Sequence, residues 1–282
     1  MLKTIRNATK TEMDSILIAW ARNEGWNPGT CDGESFYTCD NNGFWVGITD
    51  NDEIVCCMSL VKYPESDFSF VGFYIVMPEY RGQNYGYDLW QNIIGRFPER
   101  NMALDGISAQ VGNYEKNGFI FSNYNYRYCG KPSRKPYDNR FLRNTTEISF
   151  ELIVDYDKLH FPAKRHDFLK SWIKNSSKSI VYYKNDMIKG FGVIRKCFDG
   201  YKIGPLFCDS YDIAYNILMS LTSNIDEDEN IYLDIVENNI KATELMKDLN
   251  WTNVFNTSRM YTKSCPNIKW SGVFGLTTFE IG

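Results

Sequence analysis

The feature that most constrains this chain is an order of elements that is written twice. After a short N-terminal strand, Thr11–Gly25 places apolar residues at 13, 16, 17, 20 and 21, which is helical spacing, and Gly25 can end the helix. "GFWVGIT" (43–49) and "EIVCCMSLVKY" (53–63) are joined by "DND", a hairpin signal, and "DFSFVGFYIVM" (67–77) adds a third strand to an antiparallel meander. "PEYRGQNYGYDLW" (78–90) opens a helix whose stripe continues through Leu89, Trp90, Ile93, Ile94 and Phe97. "MALDGI" then reads as strand, "AQVGNYEKNGF" as a short helix, and "FIFSNYNYRYCG" as a last, alternating strand. From about Ser149 the order restarts, with "EISFELIVD" as strand, "RHDFLKSWIKN" as helix and a hairpin around Asp186. "GYKIGPLFC", "NIYLDIV" and "NVFNTSRMYT" are further strands, separated by helices at "SYDIAYNILMSLTS" and "NNIKATELMKDLNW". A repeated order of this kind is the signature of internal duplication. The Pro- and Arg-rich stretch 131–144 is the expected linker between domains at 1–135 and 145–282. The fold class expected is α/β (α+β), each half a mixed, mostly antiparallel twisted sheet flanked by helices.

Bulk properties exclude several functions. With 282 residues the chain has enough length for two ordinary domains. A net charge of -4 leaves no domain-scale basic excess for nucleic acid. There is no apolar leader and no window near the roughly 18 apolar residues that span a bilayer, so a soluble, cytoplasmic protein without membrane partners is expected. Eight cysteines without a C-x-x-C pair and two histidines, His160 and His166, favour neither a metal site nor a disulfide framework.

The turn at Arg81–Gly86, between a strand and a helix, leaves backbone N–H groups converging where the helix dipole also favours an anion, so phosphate is the expected guest. It is not a nucleotide P-loop, because no Lys-Ser or Lys-Thr follows the last glycine, and it lacks the dinucleotide G-x-G-x-x-G pattern.

Taken with the element order and "NYEKNGF" (113–119), the first half resembles the GNAT superfamily of acyl-CoA-dependent N-acyltransferases. Arg81, Gly82, Gln83, Asn84, Tyr85 and Gly86 occupy the places of that family's pyrophosphate loop, Arg/Gln-x-x-Gly-x-Gly/Ala. Asn84 departs from the pattern where glycine stands first, but asparagine tolerates positive φ, so the turn can still form. The resemblance implies acetyl-CoA as co-substrate, with Tyr87, Asn113 and Lys116 as further contacts and the backbone near Ile75, Val76 and Met77 as the holder of the thioester carbonyl.

It also implies that a primary amine, of a small molecule or a peptide, attacks the thioester while Tyr114 protonates the leaving thiolate. A phenol near pKa 10 giving its proton to a thiolate near 8.5 moves uphill by about 1.5 units, roughly 2 kcal/mol, which a concerted collapse can absorb. An alkylamine near pKa 10.4 is neutral in about one molecule in 2,500 at pH 7, a penalty of roughly 4.6 kcal/mol, so a base is needed. Glu24 and Asp105 are the side-chain candidates, and a base acting through water stands equally beside them. The second half is similar in "YLDIVENNIKATELMKDLNW", but it has no glycine after Gly204 through the corresponding loop, and Met246 stands at the place of Tyr114. It is expected to complete the fold or wall the acceptor pocket, with Arg195, Asp199 and Arg259 as pocket candidates against a plain role in surface solvation. The alternative reading is a non-catalytic acyl-CoA-binding sensor or scaffold.

Overall fold

The first helical segment begins where Thr9 and Glu12 form a capping box, each side chain accepting the other's backbone N–H, and the two nitrogens of the Arg6 guanidinium clamp the same Glu12 carboxylate. The computed structural model describes residues 1–282. In the first half, β1 (Thr4–Asn7) leads into α1 (Lys10–Glu12), a π-helical stretch (Met13–Ile18), α2 (Ala19–Asn23) and α3 (Asp32–Cys39). Strands β2 (Phe44–Ile48), β3 (Ile54–Lys62) and β4 (Phe68–Val76) form the meander. They are followed by α4 (Tyr85–Ile94), β5 (Asn101–Gly106), α5 (Val111–Lys116) and β6 (Ile120–Gly130).

The second half repeats the plan. Strand β7 (Leu142–Asn144) pairs antiparallel with β8 (Lys178–Lys184) as β1 does with β2. Helices α6 (Phe150–Lys158) and α7 (His166–Lys174) lie between them, and β9 (Met187–Lys196), β10 (Tyr201–Cys208), α8 (Tyr211–Thr222), β11 (Ile231–Val236), α9 (Ile240–Asp248) and β12 (Thr252–Tyr261) follow. A short strand, β13 (Val273–Gly275), ends the series.

Two expectations are corrected here. Residues 147–155 are not a strand, because Phe150–Lys158 is helix α6, with Ile153, Val154, Tyr156 and Asp157 buried while Leu152 is exposed. That is the one-sided burial of a helix, and a period of two would have buried Leu152 together with Val154. The strand that restarts the order is β7, which takes the last three residues of the stretch read as linker.

The strands form one thirteen-stranded sheet, in the order β1-β2-β3-β4-β5-β12-β6-β11-β10-β9-β8-β7, with β13 against β10. The last strands of the halves are exchanged: β12 pairs antiparallel with β5 of the first half, β6 pairs with β11 of the second, and β6 and β12 pair with each other. The apolar packing agrees with the exchange. The largest core cluster, 35 residues, draws on both halves, from Phe36 and Phe73 to Trp172, Phe191 and Ile281, so one face of the sheet has a shared core. No helix is long and apolar enough to cross a membrane.

Candidate active site

The turn before α4 has the backbone that its sequence requires. Gly82 sits at φ 77° and Asn84, at the helix N-cap, at φ 65° and ψ 4°, the left-handed region in which asparagine is the best-tolerated residue after glycine. Asn84's side chain makes no capping bond, so the first-turn N–H groups are left to an external acceptor. Gly86 is needed for close approach, because a Cβ there would lie 2.7 Å from Val76 Cγ2 and 2.8 Å from the Tyr74 hydroxyl, so glycine lets α4 sit down on β4. Arg81 braces the turn by donating from Nε to the Val76 carbonyl at 2.9 Å and from its other end to Glu24. Gln83 Nε2 ties back to the Glu79 carbonyl at 2.9 Å, Tyr85 lies edge-on to Tyr80, and Tyr87 is exposed.

Beside this turn the sheet opens. Parallel pairing of β4 with β5 ends at Val71–Leu104, although both strands continue. A bulge in β4, with Phe73 at φ 47°, turns its end away. The Met77 N–H donates to Val55 on β3 at 2.9 Å, so by strand alternation the Val76 N–H, between Ile75 and Met77, faces the gap. A donor aimed there is placed to hold a carbonyl oxygen.

Tyr114 lies on α5 on the same side of the sheet as α4. Its ring packs against Trp90, with centroids 5.5 Å apart, and over Gly106, where any Cβ would collide with it. Burial pushes its phenol up to about 12, so it is protonated at any physiological pH. Asn113 and Lys116, on the same short helix, face outward, and Asn113 bonds Gln110 at 2.6 Å.

The two carboxylates singled out as bases are both engaged. Glu24, at the end of α2, is ion-paired with Arg81 at the mouth of the gap. Asp105 points to the opposite face from Tyr114, where Arg259 of β12 grips both its oxygens at 2.7 and 2.6 Å and Asn125 adds a bond of 2.7 Å. Burial pushes the Asp105 carboxyl up, against the pull of that arginine.

This pair has a twin. Arg127 of β6 holds both oxygens of Asp234 on β11, at 2.7 and 2.8 Å. Burial works to raise the Asp234 carboxyl, but Arg127 outweighs it, with Lys202 and Arg195 adding to the pull, and the group is held below its ordinary range. Each exchanged strand is thus bonded to its host by a buried Arg–Asp fork. Arg195 is likewise buried, donating to Asp32 Oδ1 at 2.8 Å. Solvation at the surface therefore does not describe Arg195 or Arg259, whereas Asp199 is exposed, its carbonyl accepting from Asn27 Nδ2 and its carboxylate from the Tyr232 hydroxyl.

In the second half the corresponding gap is filled. β10 pairs with β11 only from Tyr201 to Ile203, after which β13 takes its place against Leu206 and Phe207, and Leu276 N–H donates to the Asp234 carbonyl at 2.7 Å. Met246 is fully buried in α9. Sequence reasoning missed β13, Asp32, Asp234 and Glu280. A usable signal for one of them was the repeated Leu-Asp at 104–105 and 233–234, each followed by a later strand carrying an arginine.

Comparison with known proteins defines the class. The family model described as "Acetyltransferase (GNAT) family" matches residues 13–119, and "Acetyltransferase (GNAT) domain" matches residues 153–275. The chain belongs to the GNAT acyltransferase family and carries two such domains in tandem. A holothin acyltransferase of Pseudoalteromonas sp. (strain SANK 73390) is 26% identical over 268 residues, which cover 95% of this chain and 90% of that protein. In fold, it is similar to a Pyrococcus horikoshii protein assigned as an acetyltransferase, with a TM-score of 0.83 and 21% identity over 99% of this chain and 95% of that one. A tandem GNAT protein from the clavulanic acid biosynthesis pathway aligns with a TM-score of 0.62 and 12% identity, over 94% of this chain and 99% of its own.

Proposed function

We propose that the first half transfers an acetyl group from acetyl-CoA to a primary amine of a small molecule or peptide, and that the second half no longer binds CoA. The observation that carries this reading is the left-handed turn at Asn84 with its unused helix N-terminus, set beside a strand gap into which the Val76 N–H points. The pyrophosphate would lie on residues 81–86, and Tyr87, Asn113 and Lys116 would flank the nucleotide end. The thioester carbonyl would take the Val76 N–H. The amine enters from the other face of the gap, and the departing thiolate takes the phenolic proton of Tyr114. With Glu24 paired to Arg81 and Asp105 to Arg259, a water relay is the better-supported route for the amine's proton. The second half contributes β12 and walls the acceptor side, and β13 occupies the place where its own cofactor would lie.

Calorimetry with acetyl-CoA, followed by thiol release against an amine panel with wild type and Tyr114→Phe, tests this. Tight binding with turnover that falls by two to four orders of magnitude in Tyr114→Phe is expected. Absence of binding refutes the reading outright. Binding without thiol release on any amine favours an acyl-CoA sensor, and unchanged turnover in the variant removes Tyr114 as the acid.

A further inference from the structure

The central strands carry a polar stripe on one face of the sheet. Register places Arg195 opposite Lys202, Lys202 opposite Tyr232, and Asp234, two residues on from Tyr232, opposite Arg127. The stripe continues through Thr257 to Arg259 and Asp105, and all of its charged members are buried or nearly so. It ends one residue past the last β4–β5 pair, at the gap described above.

Two segments roof it. Residues 24–32 bring Asp32 and the Trp26 carbonyl, which accepts from Arg127 at 2.9 Å and from Lys202 at 3.4 Å, and the Trp26 ring lies 6.4 Å from the bulge residue Phe73. Residues 276–282 bring Phe279, 4.9 Å from the Arg127 guanidinium, and Glu280, whose carbonyl lies where a Cβ on Gly72 would be.

Several of the polar atoms between the stripe and its roof have no partner. Both terminal nitrogens of Arg195, Oε2 of Glu280 and the Thr257 hydroxyl are buried and unbonded. Glu280 is 2% exposed and Arg195 4%. The carboxylate of Glu280 acts electrostatically on Arg127, Arg195 and Lys202, so these groups share one neighbourhood without closing into an ion pair. Leaving a buried charged donor or acceptor unmet is unfavourable, and a ligand carrying both charges would supply the missing partners.

We propose that, with the roof lifted, the unmet groups of the stripe form the acceptor site and that it selects a zwitterion, an amine that also carries a carboxylate, with the carboxylate on the free fork of Arg195 and the ammonium toward Glu280. The proposal rests on the acyl-transfer reading above. The roof's outer edge is fastened by exposed bonds, Asn27 with Asp199 in both directions at 2.8 and 2.9 Å, which water can replace as it lifts.

The test measures binding without acyl-CoA, so it is independent of turnover. Calorimetry of the full chain compares alanine with ethylamine, phenylalanine with phenethylamine, and lysine with cadaverine. At least one amino acid should bind tenfold or more tighter than its decarboxylated partner. Arg195→Lys retains a charge for Asp32 but removes the fork and should abolish that preference, and Glu280→Gln should weaken the amino acid about tenfold. Equal binding within every pair, or no binding by any member, overturns the proposal, as does a preference that survives both variants. If either variant fails to fold, the wild-type comparison still decides. Thiol release measured separately distinguishes the two readings: binding without transfer defeats only the proposed reaction, and transfer without the preference defeats only the zwitterion site.

Discussion

Asp234→Asn is the most direct test of the strand exchange. The carboxamide keeps one acceptor for Arg127 but sets an N–H2 against the guanidinium nitrogen that now bonds Oδ2 at 2.8 Å. Arg127 has a side-chain exposure of 6%, so the charge cannot turn to water. Removing one member of a buried pair costs about 3–5 kcal/mol, a large fraction of ordinary domain stability. At about 2–4 °C per kcal/mol for a chain of this size, Tm should fall by roughly 6–20 °C. Because Arg127 belongs to the first half and Asp234 to the second, the loss should appear in one cooperative transition common to both halves. Asp105→Asn should lower that same transition by a similar amount. Guanidinium unfolding followed by tryptophan fluorescence and far-UV dichroism gives the answer. A biphasic curve in which Asp234→Asn moves a single step while the other stays put would refute the shared unit, and so would a variant as stable as wild type.

Three other outcomes follow from the site. Asn84→Gly relieves a left-handed residue without removing a side-chain bond, so stability should change by less than about 1 kcal/mol and acetyl-CoA should bind at least as tightly by calorimetry. Gly72→Ala puts a methyl into the Glu280 carbonyl, and the resulting overpacking should cost about 1–3 kcal/mol in denaturant unfolding and expose residues 276–282 to carboxypeptidase. The pH profile follows from Tyr114: a phenol raised to about 12 stays protonated below that pH, so kcat/KM should climb with amine deprotonation toward about pH 10 without an alkaline fall before about pH 11. The same shift lowers stability as pH rises from about 10 through 12, because the unfolded chain releases that proton first. A decline setting in near pH 8–9 in kcat/KM, with the protein still folded, would assign the acid to another group.

Local chemistry carried most of the reading. The positive φ at Asn84, the short helix bearing Tyr114 and the repeated order of elements all follow from residues close in sequence. What sequence could not supply was partnership. The alternation in β6 says that a strand exists, and it suits β5 as a neighbour as well as β11 and β12. At residues 148–154 both periods fit, and the helix is decided by Ile153 and Tyr156, which find a core built partly from the other half. Arg195 and Arg259 read as candidates for surface solvation because their partners are far off in sequence; these two and Arg127 are buried because each partner arrives from 163, 154 or 107 residues away.

The paired forks also explain why a half with a filled gap is retained. Asp105 and Asp234 occupy like positions beside like gaps, and each is held by an arginine from the other half's last strand or its equivalent. The gap beside Asp105 is open to Tyr114's side of the sheet, while the one beside Asp234 is closed by β13. Deleting the second half would take β12 from the edge of β5, leave Asp105 buried or half-buried without its counter-ion, and strip β6 of both neighbours. The same chain that closes the second gap then runs on as residues 276–282 to the β4 bulge, where Gly72 makes room for Glu280. The strand that fills the second gap and the residues that pack on the β4 bulge are therefore two ends of one segment. A substitution in β13 that loosens its pairing with Leu206 and Phe207 should disturb acceptor binding in the first half before it restores any cofactor site in the second.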